Sequence, residues 1–127
     1  MYRSMMQVFV KGSKEAVELY RKAFSAEVLC TYEDGNGGYM HAELNAYGQV
    51  IAVSEIAEDV TLGGNTMMFC FEMGDGNGNG NEEQVKSAYE VLKEGAIECS
   101  PLTDSCGYSS LQFVCTDRFG VTWCIFV

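Results

Sequence analysis

GGYMHAEL, residues 37–44, has a counterpart in CGYSSLQF, residues 106–113, and that pairing decides the fold. Gly38-Tyr39 falls on Gly107-Tyr108, 69 residues on, and Tyr20 falls on Tyr89 at the same offset. In each half 19 residues separate the first tyrosine from the second. An offset kept over that distance marks an internal duplication. His41, the only histidine, then aligns with Ser110, and Glu43 with Gln112. The turn DRFG (117–120) adds about three residues to the second half in this alignment.

Outward from these stretches, each half reads as βαβββ. MMQVFV (5–10) is a β-rich run, followed by SKEAVELYRKAF (13–24). Ala16, Leu19, Tyr20 and Ala23 recur there at helical spacing, which predicts a helix with one buried stripe and Ser13 as N-cap. EVLCTY (27–32), YMHAELNA (39–46) and VIAVSE (50–55) read as strands, with DGNGG (34–38) as a tight hairpin connection. In the second half TMMFCFEM (66–73) precedes a helix at 82–95, capped by Asn81, with Gln84 completing a capping box. AIECS (96–100), the loop PLTDSCGY (101–108), and the strands SSLQFVCT (109–116) and VTWCIFV (121–127) follow. The Gly/Asn-rich GDGNGNGN (74–81) carries Asp75 and no lysine and matches no phosphate-binding fingerprint, so a mobile connector is expected.

The expectation is one α+β domain: module one over 1–56, a linker over 57–65 and module two over 66–127. Each half would form a curved mixed sheet backed by a helix on its outer face, the two enclosing a cleft.

A net charge of −10 with only eight basic residues, none clustered, argues against nucleic acid and anionic membrane as partners. No transmembrane span or signal peptide is legible, and a cytoplasmic protein is expected. The six cysteines, at 30, 70, 99, 106, 115 and 124, contain no C-x-x-C and have no nearby histidine. Five lie in apolar strand-like runs and read as small buried hydrophobes; Cys106, in a polar loop, reads as the exposed thiol.

The layout resembles the vicinal oxygen chelate superfamily of glyoxalase I, bleomycin-resistance proteins and extradiol dioxygenases. EAVELYRKAFSAEV, GYMHAEL, the Ser-Glu that closes VIAVSE, GGN and PLTDSCGYSSLQFVCTDRFGVTW are similar to its PhnB-like branch, often labelled 3-demethylubiquinone-9 3-methyltransferase-like. No glycine fingerprint or donor domain supports a methyltransferase. Two departures stand out: Ser25 replaces the glycine usual at the first helix end, and DSCG lacks the aromatic residue usual in that loop.

The resemblance implies divalent-metal ligands of His, Gln or Glu type on the first and last strands of each module. Gln7, Glu55 and Glu72 are the candidates here; VTWCIFV offers none, and Val127 stands opposite Glu55 in the repeat. A transition-metal site generally needs three protein ligands or more, so this set is short. Alternation puts Tyr39, His41 and Glu43 on one strand face, with Met40, Ala42 and Leu44 packing against the helix. The first group would line the cleft with Ser110 and Gln112, together with Glu55 and Tyr108, and with Trp123 in the core or on the cleft floor. The expected function is therefore a small-molecule binder without a catalytic metal, in a homodimer implied by the resemblance. A metal-dependent isomerase, lyase or dioxygenase is the alternative, and a ligand-free dimeric scaffold a third.

Overall fold

The computed structural model describes residues 1–59, 67–105 and 109–127. Cys106, Tyr108 and most of the expected linker therefore lie outside the described residues. The chain divides into two compact units, 1–62 and 63–127.

The first unit runs β1 (Met6–Val10), α1 (Ser13–Ala23), β2 (Glu27–Glu33), β3 (Tyr39–Ala46) and β4 (Gln49–Glu55). Its four strands are ordered β1-β4-β3-β2, with β1 parallel to β4 and the other pairs antiparallel. The βαβββ expectation holds. Ala16, Leu19, Tyr20 and Ala23 are buried, as the helical spacing predicts. They pack toward Val8, Val10, Leu44, Ile51 and Val53, all buried. Fully burying the Val, Leu and Ile side chains of this contact contributes roughly 1.5–3 kcal/mol each.

Ser13 is not the N-cap. Gly12 holds that position at φ 90, and Ser13 is the first helical residue, fully buried. At the other end Ser25 adopts φ 46, the left-handed conformation, while the Ala26 N–H reaches the Arg21 carbonyl. That is a Schellman-type stop, where glycine carries no steric penalty and serine does. The substitution seen in FSAEV thus keeps the cap and strains it. β3 and β4 join through Tyr47 (φ 56) and Gly48 (φ 90), a two-residue turn with both φ positive, closed by Gly48 N–H donating to Asn45 Oδ1 at 2.7 Å.

The second unit runs β5 (Phe69–Glu72), α2 (Glu82–Leu92), β6 (Glu98–Cys99), β7 (Thr103–Ser105), β8 (Ser109–Thr116) and β9 (Thr122–Phe126). Its path β5-β9-β8-β6 repeats the first sheet's order, which is the duplication expressed in hydrogen bonds. The short β7, inside the segment expected to be a loop, pairs with β8 and makes this sheet five-stranded. Asn81 caps α2 by accepting from Gln84 N–H at 3.1 Å, but its own N–H goes to the Met73 carbonyl, so the capping box is half formed.

Trp123 and Phe113 are fully buried, with Val85, Ala88 and Leu92 of α2 against them. The Gly/Asn-rich loop is built around one side chain. Asp75 accepts from Asn77 N–H at 2.8 Å and from the Asn79 side-chain amide at 2.8 Å, and Gly74 bridges Gly80. Those bonds hold the Asp75 carboxyl below the usual carboxylate range.

Candidate functional site

Strand register sorts the candidates by face. Gln7 pairs with Ala52 and Ala52 with Glu43, which in turn pairs with Cys30. Phe9 pairs with Ser54 in the next row, and Tyr32 pairs with His41. Paired residues share a face, so these side chains lie together on the side of the sheet away from α1.

At the centre is Glu43. It accepts a two-pronged bond from Arg3, Nη1 to Oε2 at 2.8 Å and Nη2 to Oε1 at 2.9 Å. His41 Nε2 lies 2.9 Å from the same Oε1. An ionised carboxylate only accepts, so Nε2 carries the hydrogen, and Nδ1 is the ring nitrogen left outside this contact. The Arg3 fork, then the His41 contact, hold the Glu43 carboxyl at about 2 despite its burial. Glu43 thus accepts three hydrogen bonds and is held in its ionised form. It orients His41 rather than serving as a base itself.

Around this trio the surface is aromatic. Tyr32 stands with its ring centroid 6.4 Å from that of His41, and Phe9 is 59% exposed. Gln7 donates to Ser54 Oγ at 3.1 Å between them. Arg3, Phe9 and Tyr32 were not among the sequence candidates. Arg3 precedes the first strand and has no periodic signal; the one sequence signal for it is a charged Glu43 between Ala42 and Leu44, which demands a cation.

Tyr39 leaves this group. Tyr32 pairs with His41 but Glu33 pairs with Tyr39, so β3 carries one extra residue, Met40, at that point. The bulge interrupts alternation and sends Tyr39 to the α1 side with Glu33. There Lys14 spans both, 2.8 Å from the Glu33 carboxylate and 5.3 Å from the Tyr39 ring centroid. Met40 itself is exposed rather than packed on the helix.

Glu55 also belongs to the α1 side, because it pairs with Val10 and not with the Gln7 row. Its carboxylate accepts from Gly12 N–H at 3.0 Å, Ser13 N–H at 2.9 Å and Ser13 Oγ at 2.8 Å. Ser13 Oγ in turn accepts from Tyr39 N–H at 2.8 Å. Glu55 is therefore the anionic cap of α1, placed where the helix dipole favours it. Burial opposes its ionisation, yet the Ser13 and Gly12 donors outweigh burial and hold the carboxyl below its ordinary value. Gly38 is required beside it: a Cβ there would sit 2.6 Å from Glu55 Oε1.

A metal shared by Gln7 and Glu55 does not fit this frame. The two lie on opposite faces of one sheet, and both Glu55 carboxylate oxygens already accept hydrogen bonds from the start of the helix. Glu72 is an exposed residue of the second unit, lining a cavity of about 290 Å³ with Met73, Gly74 and Val127. Among the described residues no cluster of three or more His, Cys, Asp or Glu side chains is placed to hold an ion.

In the second unit Ser110 Oγ donates to Glu82 at 2.9 Å, at the start of α2. Gln112 pairs with Phe126 and Thr103. Trp123 takes the core alternative: it is fully buried against Phe69 and Phe71, and its Nε1–H donates to Asp117 at 2.9 Å. Asp117 also accepts from Phe119 and Val121 N–H, which shapes the DRFG turn.

No protein-family model matches the chain, and no curated protein matches it in sequence. Solved structures do match in fold. A possible glyoxalase from Bacillus cereus superposes with TM-score 0.68 at 20% identity, covering 100% of this chain and 99% of the other. A putative 3-demethylubiquinone-9 3-methyltransferase, PhnB protein, from the same organism gives 0.67 at 18%, covering 98% of each. The fosfomycin resistance protein FosX from Listeria monocytogenes, complexed with Mn(II) and sulfate, gives 0.71 at 15%, covering 98% and 88%. The chain thus has the glyoxalase/bleomycin-resistance fold, the fold expected from the resemblance to the vicinal oxygen chelate superfamily. Among the described residues no helix is long and apolar enough to cross a membrane.

Proposed function

We propose that this chain binds a small, planar organic molecule on the face of the first sheet away from α1, without a catalytic metal. The arrangement of Arg3, Glu43 and His41 between Phe9 and Tyr32 carries this reading. Apolar and aromatic walls around a few oriented polar groups are the usual composition of a ligand site. Arg3 and His41 Nδ1 supply the polar anchors, and Phe9 and Tyr32 supply stacking surface. The placement of Gln7 and Glu55 on opposite faces of one sheet supports binding over metal-assisted chemistry on those two residues. PhnB-like membership, a cytoplasmic location and a homodimer formed through a free sheet edge belong to the same proposal.

A thermal-shift screen with salicylate, catechol and methylphosphonate tests it, since a ligand that prefers the folded state raises the melting temperature. The expected result is a rise with the aromatic compounds that is lost in Phe9→Ala and His41→Ala. A rise only with added Mn(II), retained in both variants, would favour the metal-dependent alternative.

A further inference from the structure

The register of the second sheet brings its cysteines into pairs. Cys99 of β6 pairs with Cys115 of β8 across an antiparallel ladder. Ser100 N–H donates to the directly opposite Val114 carbonyl, so 100/114 is a hydrogen-bonded position. The neighbouring 99/115 position is then the non-hydrogen-bonded kind, where Cα atoms approach to about 4.5 Å and side chains are closest. That lies within the about 4.4–6.8 Å separation a disulfide spans. Both thiols are free.

We infer that Cys99 and Cys115 are an oxidisable dithiol, closed by a disulfide oxidant into a cross-strand bridge that ties the edge strand β6 to β8. Cys99 is half-buried and open to attack, whereas Cys115 is fully buried with its Sγ directed at the Leu92 carbonyl. Burial pushes the Cys115 thiol up, so the bridge begins at Cys99. With oxidised glutathione, the Cys99 thiolate attacks one sulfur, forms a mixed disulfide and expels one glutathione thiolate. The Cys115 thiolate then attacks the Cys99 sulfur and expels the second. Two protein thiols are oxidised, one glutathione disulfide is reduced, and the two protons leave on the two glutathiones.

Cys70 and Cys124 provide an internal comparison. They are also paired, but on parallel strands, β5 and β9. A parallel ladder is evenly spaced and has no closely approaching non-hydrogen-bonded pair like 99/115, so these side chains stand about one 4.8 Å strand spacing apart. Cys70 is exposed and Cys124 half-buried.

Native full-length chain is incubated with oxidised glutathione and mapped by non-reducing peptide mass spectrometry. The expected product is a Cys99–Cys115 linked peptide pair about 2 Da lighter than its thiol form. In Cys115→Ser a mixed disulfide persists on Cys99. Glutathione on Cys70 with Cys99 and Cys115 unlinked overturns the inference, as does Cys106 as the partner of either, or an unmodified Cys99 in Cys115→Ser.

Discussion

Glu55→Ala should destabilise the first unit by about 3 kcal/mol. Three donors lose their acceptor: Gly12 N–H, Ser13 N–H and Ser13 Oγ. Gly12 is half-exposed and water replaces its partner, so the loss falls on Ser13, which is fully buried. Two buried donors left unsatisfied cost about 1 kcal/mol or more each, and removing the charge from the helix N-terminus costs about 0.5–1 kcal/mol more. Glu55→Gln keeps one acceptor oxygen and loses the charge, so it should cost about 1 kcal/mol. Urea unfolding followed by far-ultraviolet circular dichroism at neutral pH measures both. The pH dependence has a definite sign. The folded carboxyl lies below its ordinary value, so its contribution is complete above that value and lost as pH falls through the folded one. Glu55→Gln should lack this acid-dependent loss. An alanine variant within 0.5 kcal/mol of the parent would refute the capping role and reopen Glu55 as a ligand.

Ser25→Gly should raise stability by about 0.5–1 kcal/mol, because residue 25 sits at φ 46; thermal denaturation checks the sign. Glu43→Gln should destabilise by about 1–2 kcal/mol at neutral pH. The fall from 4.5 to about 2 sets a ceiling of roughly 3 kcal/mol, and screening at the 43%-exposed Arg3 reduces it. That contribution should fade in the parent as pH drops from 4.5 toward 2, seen as convergence of parent and variant unfolding curves. Asp117→Ala should cost about 3 kcal/mol, since Trp123 Nε1–H and the Phe119 and Val121 N–H groups lose one shared acceptor; a red shift of Trp123 emission would accompany it.

The duplicated architecture was legible because it rests on patterns of short range. Helical stripes at Ala16–Ala23 and Val85–Leu92 and alternating strands are local facts, and a single offset joined them. The departures all involve partners distant in sequence or a one-residue irregularity. Glu55 reads as a strand-end carboxylate until the fold brings it to Ser13, 42 residues away. The extra residue at Met40 carries no composition signal, yet it moves Tyr39 to the opposite face from His41. Glu43 was legible as a neighbour of His41, but its cation came from outside any periodic segment. The cysteine pairs required the register of two ladders. Ser25 is the converse case: its replacement of a glycine was visible in sequence, and the structure supplied the left-handed backbone that gives it meaning.

On the function proposed above, the face bearing Arg3, Glu43 and His41 holds the ligand. A titration of isotopically labelled protein with salicylate, followed by amide and aromatic chemical shifts, tests it most directly. Saturable shifts should concentrate at Gln7, Phe9, Tyr32, His41 and Glu43, with Tyr39 and Glu55 little affected. Saturable shifts centred on Glu55, Ser13 and Tyr39, or confined to the second unit, would contradict it.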